Sequence, residues 1–179
     1  MAEEKKEKWL NYLALTTVIF AVCATLSTFK GGGHSTRAVL SQTMASDQWA
    51  YYQSKSIKGY LYELQKEELE LELKAQGPRP PQTMRDEFSK KIASYGEKIK
   101  KYEGEKEKIQ ADARAFEEKR DQAQKHQQAF GVAVIFLQIA ILMSSVAALL
   151  KKKHLWLLSL GAGVAGLVYF ADGFLLFIK

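Results

Sequence analysis

Residues 123–150 read AQKHQQAFGVAVIFLQIAILMSSVAALL. From Phe130 to Leu150 no charged residue occurs. At 1.5 Å per residue such a helix crosses a hydrocarbon core of roughly 30 Å. Neither glycine nor proline interrupts Ala123 through Phe130, so the polar helix upstream is expected to run unbroken into the apolar one. That junction decides the fold, because it describes a transmembrane helix that continues outward as a soluble arm.

Two further stretches satisfy the same length argument. Trp9–Phe29 is free of charge, and residues 155–178 carry one charged side chain, Asp172, which a tilted span tolerates. The mean hydropathy of -0.22 conceals them, since charged residues make up 26% of the chain and are concentrated elsewhere. The expected fold is all-α: three transmembrane helices at 9–29, 130–150 and 155–178, with a long antiparallel helical hairpin, a coiled coil, inserted between the first and second. Residues 1–8 form a flank and 151–154 a short basic loop. The first apolar run is too long for the core of a cleaved signal peptide and ends in Thr28-Phe29-Lys30 instead of a small-x-small site, so it reads as a retained anchor.

Orientation follows from lysine and arginine in short flanks. Lys5, Lys6 and Lys8 precede the first span, and Lys151, Lys152 and Lys153 fill the turn between the second and third. Three spans put these flanks on one side, expected to be cytoplasmic, and the hairpin on the other. The single cysteine, Cys23, lies within the first span, so no disulfide can form within the chain.

The soluble region, residues 30–128, divides at Gly77-Pro78-Arg79-Pro80-Pro81, which holds all three prolines of the chain. Proline lacks an amide hydrogen and disfavours helix at the preceding residue. One helix is therefore expected over about 34–75, a turn over 76–82 and a second helix over about 83–128. Gly77 suits a left-handed C-terminal cap, and Thr83 an N-cap with Asp86 in the position of a capping box.

In the second helix Phe88, Ile92, Tyr95, Ile99, Tyr102, Lys106, Ile109, Ala113, Phe116, Arg120 and Ala123 alternate steps of four and three, a heptad seam. Pairing about a turn centred on Arg79 and Pro80 sets Leu71 by Phe88, Leu64 by Tyr95, Tyr60 by Ile99, Ile57 by Tyr102 and Ala50 by Ile109. Lys106 then meets Gln53. It either forms a register-fixing polar layer or snorkels its ammonium to solvent, and we take the second reading.

This pairing leaves Leu69, Leu73, Trp49 and Tyr52 on a second face, with Leu61 and Tyr62. A two-helix hairpin has one seam, so a further apolar face calls for another copy, a membrane surface or another membrane protein. The competing reading makes Trp49, Tyr51 and Tyr52 part of an interfacial segment, with Gly31-Gly32-Gly33 turning the chain after the first span.

Residues 9–27, WLNYLALTTVIFAVCATLS, together with Ser46–Gln53, SDQWAYYQ, and Lys55–Lys58, KSIK, resemble a bacterial membrane family known as domain of unknown function 4337. The resemblance extends over nearly the whole chain in layout. It implies a bacterial inner-membrane protein and transfers no catalytic residue, because the family has no assigned activity.

Gly161-Ala162-Gly163-Val164-Ala165-Gly166 matches the dinucleotide pattern G-x-G-x-x-G, which needs a strand, a tight turn and a helix start. Here it falls inside a span. Gly161 with Ala165, and Ala162 with Gly166, instead make small-xxx-small surfaces for close helix packing. Asp172 is the one ionisable residue well inside a span, a candidate ion or proton ligand or a polar contact within a bundle. His34 and His126 both fall at the membrane-proximal base of the hairpin, too few ligands for a dedicated metal site. The net charge of +6 is spread over alternating signs, as in Lys100-Lys101-Tyr102-Glu103-Gly104-Glu105-Lys106, a solvated helix face and not a track for nucleic acid.

No nucleophile, base and orienting group can be assembled, and no cofactor or metal site is expected. The function expected is a non-enzymatic structural or scaffolding membrane protein that forms homo-oligomers through its spans and hairpin. The alternative is a small oligomeric channel or transporter using Asp172.

Overall fold

The computed structural model describes residues 8–77 and 81–178, and they form three helices: α1 Lys8–Ala75, α2 Gln82–Leu150 and α3 Lys153–Leu175. The N-terminal flank, residues 1–8, lies mostly outside these residues, as do Pro78, Arg79 and Pro80 of the turn. α1 is helical through Gly31-Gly32-Gly33, so the apolar run and the soluble arm form one helix without a turn between them. α2 likewise continues from the charged sequence into Phe130–Leu150. Each of the three helices contains a segment long and apolar enough to cross a membrane.

The helix ends follow local chemistry. Gly77 has a φ of 82°, and its amide donates to the Lys74 carbonyl, closing α1 in the left-handed conformation that glycine adopts without strain. α2 starts at Gln82, one residue earlier than expected, with Arg85 N–H donating to the Pro81 carbonyl. α2 and α3 are joined by a tight turn in which Lys151 takes a φ of 53° and Lys152 caps α3.

The chain divides into two compact units, Met1–Leu40 with Lys119–Lys179, and Ser41–Glu118. In the first, Phe20, Ala24, Leu137 and Ala140 form a buried cluster, joined by Cys23, Ile141, Leu160, Ala162 and Leu167. α3 enters it with the small stripe Ser159, Gly163, Gly166 and Gly173. A Cβ at Gly163 would overlap the Phe20 ring, one at Gly166 would lie 2.7 Å from Leu137 Cγ, and one at Gly173 would lie 2.6 Å from Phe130. The missing side chains are what let α3 approach α1 and α2.

Several hydroxyls of the apolar segments are satisfied within the helices, as a medium without water would require. The hydroxyls of Thr17, Thr25, Ser27 and Thr28 donate to carbonyls four residues earlier in α1. Ser144 and Ser159, both fully buried, bond to each other across α2 and α3 at 2.9 Å, and Trp156 Nε1 donates to Thr16 Oγ1.

The second unit is an antiparallel helix pair. Lys55 meets Glu105, one position beyond the Gly104 that the sequence register would oppose to it. The correction extends to the whole contact face of α1. Ile57, Tyr60, Leu64 and Leu71, expected in the seam, are 60–64% exposed. Ala45 and Gly59 are buried instead, with Tyr52, Lys55, Tyr62, Lys66, Leu69 and Leu73 half-buried. Successive helical residues are rotated by about 100°, so a small register error turns a different stripe inward. On α2 the seam read from sequence is the one used: Ile109 and Ala113 are buried, and Phe88, Ile92, Tyr95, Ile99, Tyr102 and Phe116 are half-buried.

Candidate functional site

Small side chains in α1 make room for bulky ones in α2. A Cβ on Gly59 would lie 4.0 Å from the Tyr102 Cβ, so glycine leaves this side of α1 open to the Tyr102 ring. Tyr62 stacks on Tyr102 at 5.9 Å between centroids and tilts against Tyr95 at 5.5 Å. Trp49 donates from Nε1 to Glu117 Oε1 at 2.9 Å and packs edge-on to Tyr52. Trp49, Tyr52, Leu69 and Leu73 thus lie on the side of α1 that carries the contacts with α2.

Lysines complete the seam. Lys55 lies over the rings of Tyr51 and Tyr102, Lys98 over Tyr62 and Tyr95, and Lys106 over Tyr52 and Tyr60, all within 6 Å of the centroids. Each of the six tyrosines of this unit therefore faces an ammonium, an arrangement in which the ring quadrupole offsets part of the lost hydration. Lys106 neither pairs with Gln53 nor reaches freely to solvent: its side chain is 13% exposed and its ammonium contacts Glu103 at 2.6 Å. That contact raises the Lys106 pKa above the usual lysine range. Lys55 and Glu105, 2.7 Å apart, shift each other likewise, the lysine up and the carboxyl down, chiefly through their hydrogen bond. The density of tyrosine and lysine between 51 and 62 is the sequence signal for the α1 side of this seam, which aliphatic periodicity passes over.

Packing on that side leaves Ile57, Leu61, Leu64 and Leu71 as an exposed stripe on α1, with Tyr60 at its edge beside Lys106. Their spacing of three, four and seven keeps them on one helical face. A second apolar face therefore exists, but it is the stripe first assigned to the seam.

In the first unit, His34 and His126 stack at 4.5 Å with planes 20° apart. His126 Nδ1–H donates to the Gly173 carbonyl at 2.8 Å, which fixes α2 against α3. Stacked rings present faces, not lone pairs, to one another, so the pair does not converge on a metal. Among the described residues no three His, Cys, Asp or Glu side chains form a metal-binding group. Partial burial, then the neighbouring His126, Arg37 and Lys30, lower the His34 pKa.

Asp172 is 4% exposed and ties down the residues that follow α3. Its backbone carbonyl accepts the Leu176 amide at 2.7 Å, with Leu176 in the left-handed conformation, and its Oδ1 accepts the Ile178 amide at 2.7 Å. Of the small-residue positions named from sequence, Gly166 is buried, Ala162 and Ala165 are half-buried and Gly161 is exposed with nothing near it. Gly163 and Gly173 carry the close approaches that those pairs omitted.

A family model described as a domain of unknown function (DUF4337) matches residues 9–176. No curated protein and no solved structure matches the chain.

Proposed function

The chain belongs to the DUF4337 family, and from its own geometry we propose that it is a non-enzymatic membrane scaffold whose copies assemble through the coiled-coil hairpin. The observation that carries this reading is the stripe Ile57, Leu61, Leu64 and Leu71, exposed on a helix whose opposite side is already in contact with α2. A contiguous apolar stripe on a soluble arm gains from a partner that removes it from water. A second copy of the same arm offers the same stripe, as a twofold interface requires.

Three apolar helices support anchoring in a bilayer, and the resemblance supports a bacterial inner membrane. The lysines at 151–153 support a cytoplasmic side for that turn and the opposite side for the hairpin. A reporter fused after Gly77 that is active only in the cytoplasm would reverse this orientation. The non-enzymatic reading is supported by the internal use of polar groups: His126 on Gly173, Ser144 on Ser159, Asp172 on Ile178. The same clasp on Asp172 weighs against conduction through it.

The test is the mass of the purified full chain in detergent, measured by light scattering. The wild type is expected as an oligomer, and Ile57→Lys with Leu64→Lys as a smaller species of unchanged helicity. A wild-type monomer sinks the scaffold reading, and an unchanged oligomer in the double variant assigns assembly to another surface.

A further inference from the structure

Beside the Asp172 clasp lies a cleft of about 590 Å³, lined by residues of α2, α3 and the segment after α3. Its polar groups include Lys125, Gln128 and Asp172; Val132, Tyr169 and Ile178 supply apolar wall. Among the described residues Lys125 Nζ, the Gln128 amide and Asp172 Oδ2 have no hydrogen-bond or ion-pair partner, Oδ1 being held by Ile178. The cleft is graded along the helices. Lys125 and Gln128 precede the apolar segment of α2, and Val132 lies within it, about 10 Å from Lys125 along the axis. On α3 the His126–Gly173 hydrogen bond brings Asp172, next to Gly173, to the level of Lys125, next to His126. Tyr169 lies about one turn further into the apolar part of α3.

A cation, an acceptor and an amide donor at one level, with apolar wall running from that level into the span, match one class of molecule. The geometry points to a phospholipid with a primary-amine headgroup: its phosphate against Lys125 and Gln128, its ammonium on Asp172 Oδ2, and an acyl chain along Val132 and Tyr169. Basic pockets between membrane helices hold lipid phosphates, charge-assisted bonds to phosphate and ammonium are the strong ones, and tyrosine favours the headgroup level. Carboxylate beside lysine selects against purely anionic headgroups, whose phosphate would meet Asp172 with no amine to offset it. Quaternary amines lack the N–H that the carboxylate would accept. This assignment rests on the membrane reading above.

The test is native mass spectrometry of the full chain released from detergent micelles doped in turn with phosphatidylethanolamine, phosphatidylcholine and phosphatidylglycerol. Phosphatidylethanolamine is expected to be retained about fivefold over the other two, a difference of about 1 kcal/mol. Lys125→Ala should lower retention of every lipid. Asp172→Asn, which keeps an oxygen for Ile178, should abolish the preference over phosphatidylcholine while leaving phosphate-dependent retention. Equal retention of the three lipids, or a preference surviving both variants, overturns the site. Stronger retention of phosphatidylglycerol, unaffected by Asp172→Asn, overturns the amine assignment. Displacement of the lipid by equimolar water-soluble phosphoethanolamine overturns the acyl contact. Carbonate extraction of membranes separates the premises: a chain that washes off defeats both readings, and one that stays without lipid preference defeats only this one.

Discussion

His34 and His126 present nearly parallel faces to each other at 4.5 Å, and His126 has a ring nitrogen committed to the Gly173 carbonyl. Lys30 and Arg37 add positive charge around His34 from α1. A second charge at this place is unwelcome, so the folded state holds the His34 pKa below its ordinary value, with loss of hydration the first cause. The unfolded chain then binds the proton more readily. Stability is expected to be full above about pH 6.5, the ordinary histidine value, and to fall as the pH drops through the lower, folded value. Thermal melts of the detergent-solubilised chain between pH 7.5 and 5 should show a decline that His34→Phe, which keeps a stacking ring, flattens. An identical decline in the variant assigns it to other groups.

Gly166 and Gly161 are five residues apart in α3 and meet different surroundings. A Cβ at Gly166 would stand 2.7 Å from Leu137 Cγ and 3.0 Å from the Leu137 backbone nitrogen, while at Gly161 nothing lies within 4 Å. Backbone cannot rotate away, so Gly166→Ala should cost about 1–3 kcal/mol as overpacking. That corresponds to a melting temperature lower by several degrees for a chain of this size. Gly161→Ala should be neutral or stabilising, since alanine is the better helix former. Gly163→Ala should also destabilise, because the Phe20 ring it would overlap is itself buried in the core cluster. The reverse order in thermal denaturation would show that α3 uses another face.

The three apolar segments and the seam of α2 were legible because each is written as an unbroken run or a regular spacing of apolar residues. α1 does not. Its inward side carries Lys55, Gly59, Tyr62 and Lys66, which a hydrophobic pattern scores as solvent-facing, whereas Ile57, Leu64 and Leu71 on its outward side score as core. Lysine can sit inward here because tyrosine rings and Glu103 or Glu105 receive its charge, a compensation visible only once two helices are placed together. Asp172 was identifiable as unusual, but its partner is the Ile178 amide, reached only because Leu176 turns the backbone left-handed. The α3 glycines were found as a class and missed as a stripe, for the same reason that α1 was: neighbouring helical positions face different partners.

Exchange of the two α1 faces gives a paired prediction. Leu69→Lys with Leu73→Lys strikes the side facing α2, where both residues are half-buried, and should lower the melting temperature of the hairpin. Partial loss of two buried leucines costs on the order of 2–4 kcal/mol. Ile57→Lys with Leu64→Lys strikes residues more than 60% exposed and should leave the isolated fold within about 0.5 kcal/mol of wild type. Circular dichroism melts at a concentration where every variant has the same mass would separate intrachain packing from assembly. Equal destabilisation by both pairs would return Ile57 and Leu64 to the seam.

Lys55 and Glu105 bring a second pH dependence into the hairpin, of opposite physical origin to that of His34. Their 2.7 Å contact draws the Glu105 carboxyl below its ordinary range, so the folded state holds the ionised form more firmly than the unfolded chain does. The associated stability is complete above about pH 4.3, the unperturbed glutamate value, and is lost as the pH falls through the folded one. Lys55 contributes nothing to that window, since its own pKa is moved upward from an already alkaline value. Glu105→Gln keeps the shape and an acceptor but removes the titration. It should melt lower than wild type at pH 7 and converge with it once the pH has fallen below the folded value, because there the wild-type glutamate is neutral too. Parallel melting curves across that range would place the acid sensitivity elsewhere and leave the Lys55 ammonium to the rings of Tyr51 and Tyr102.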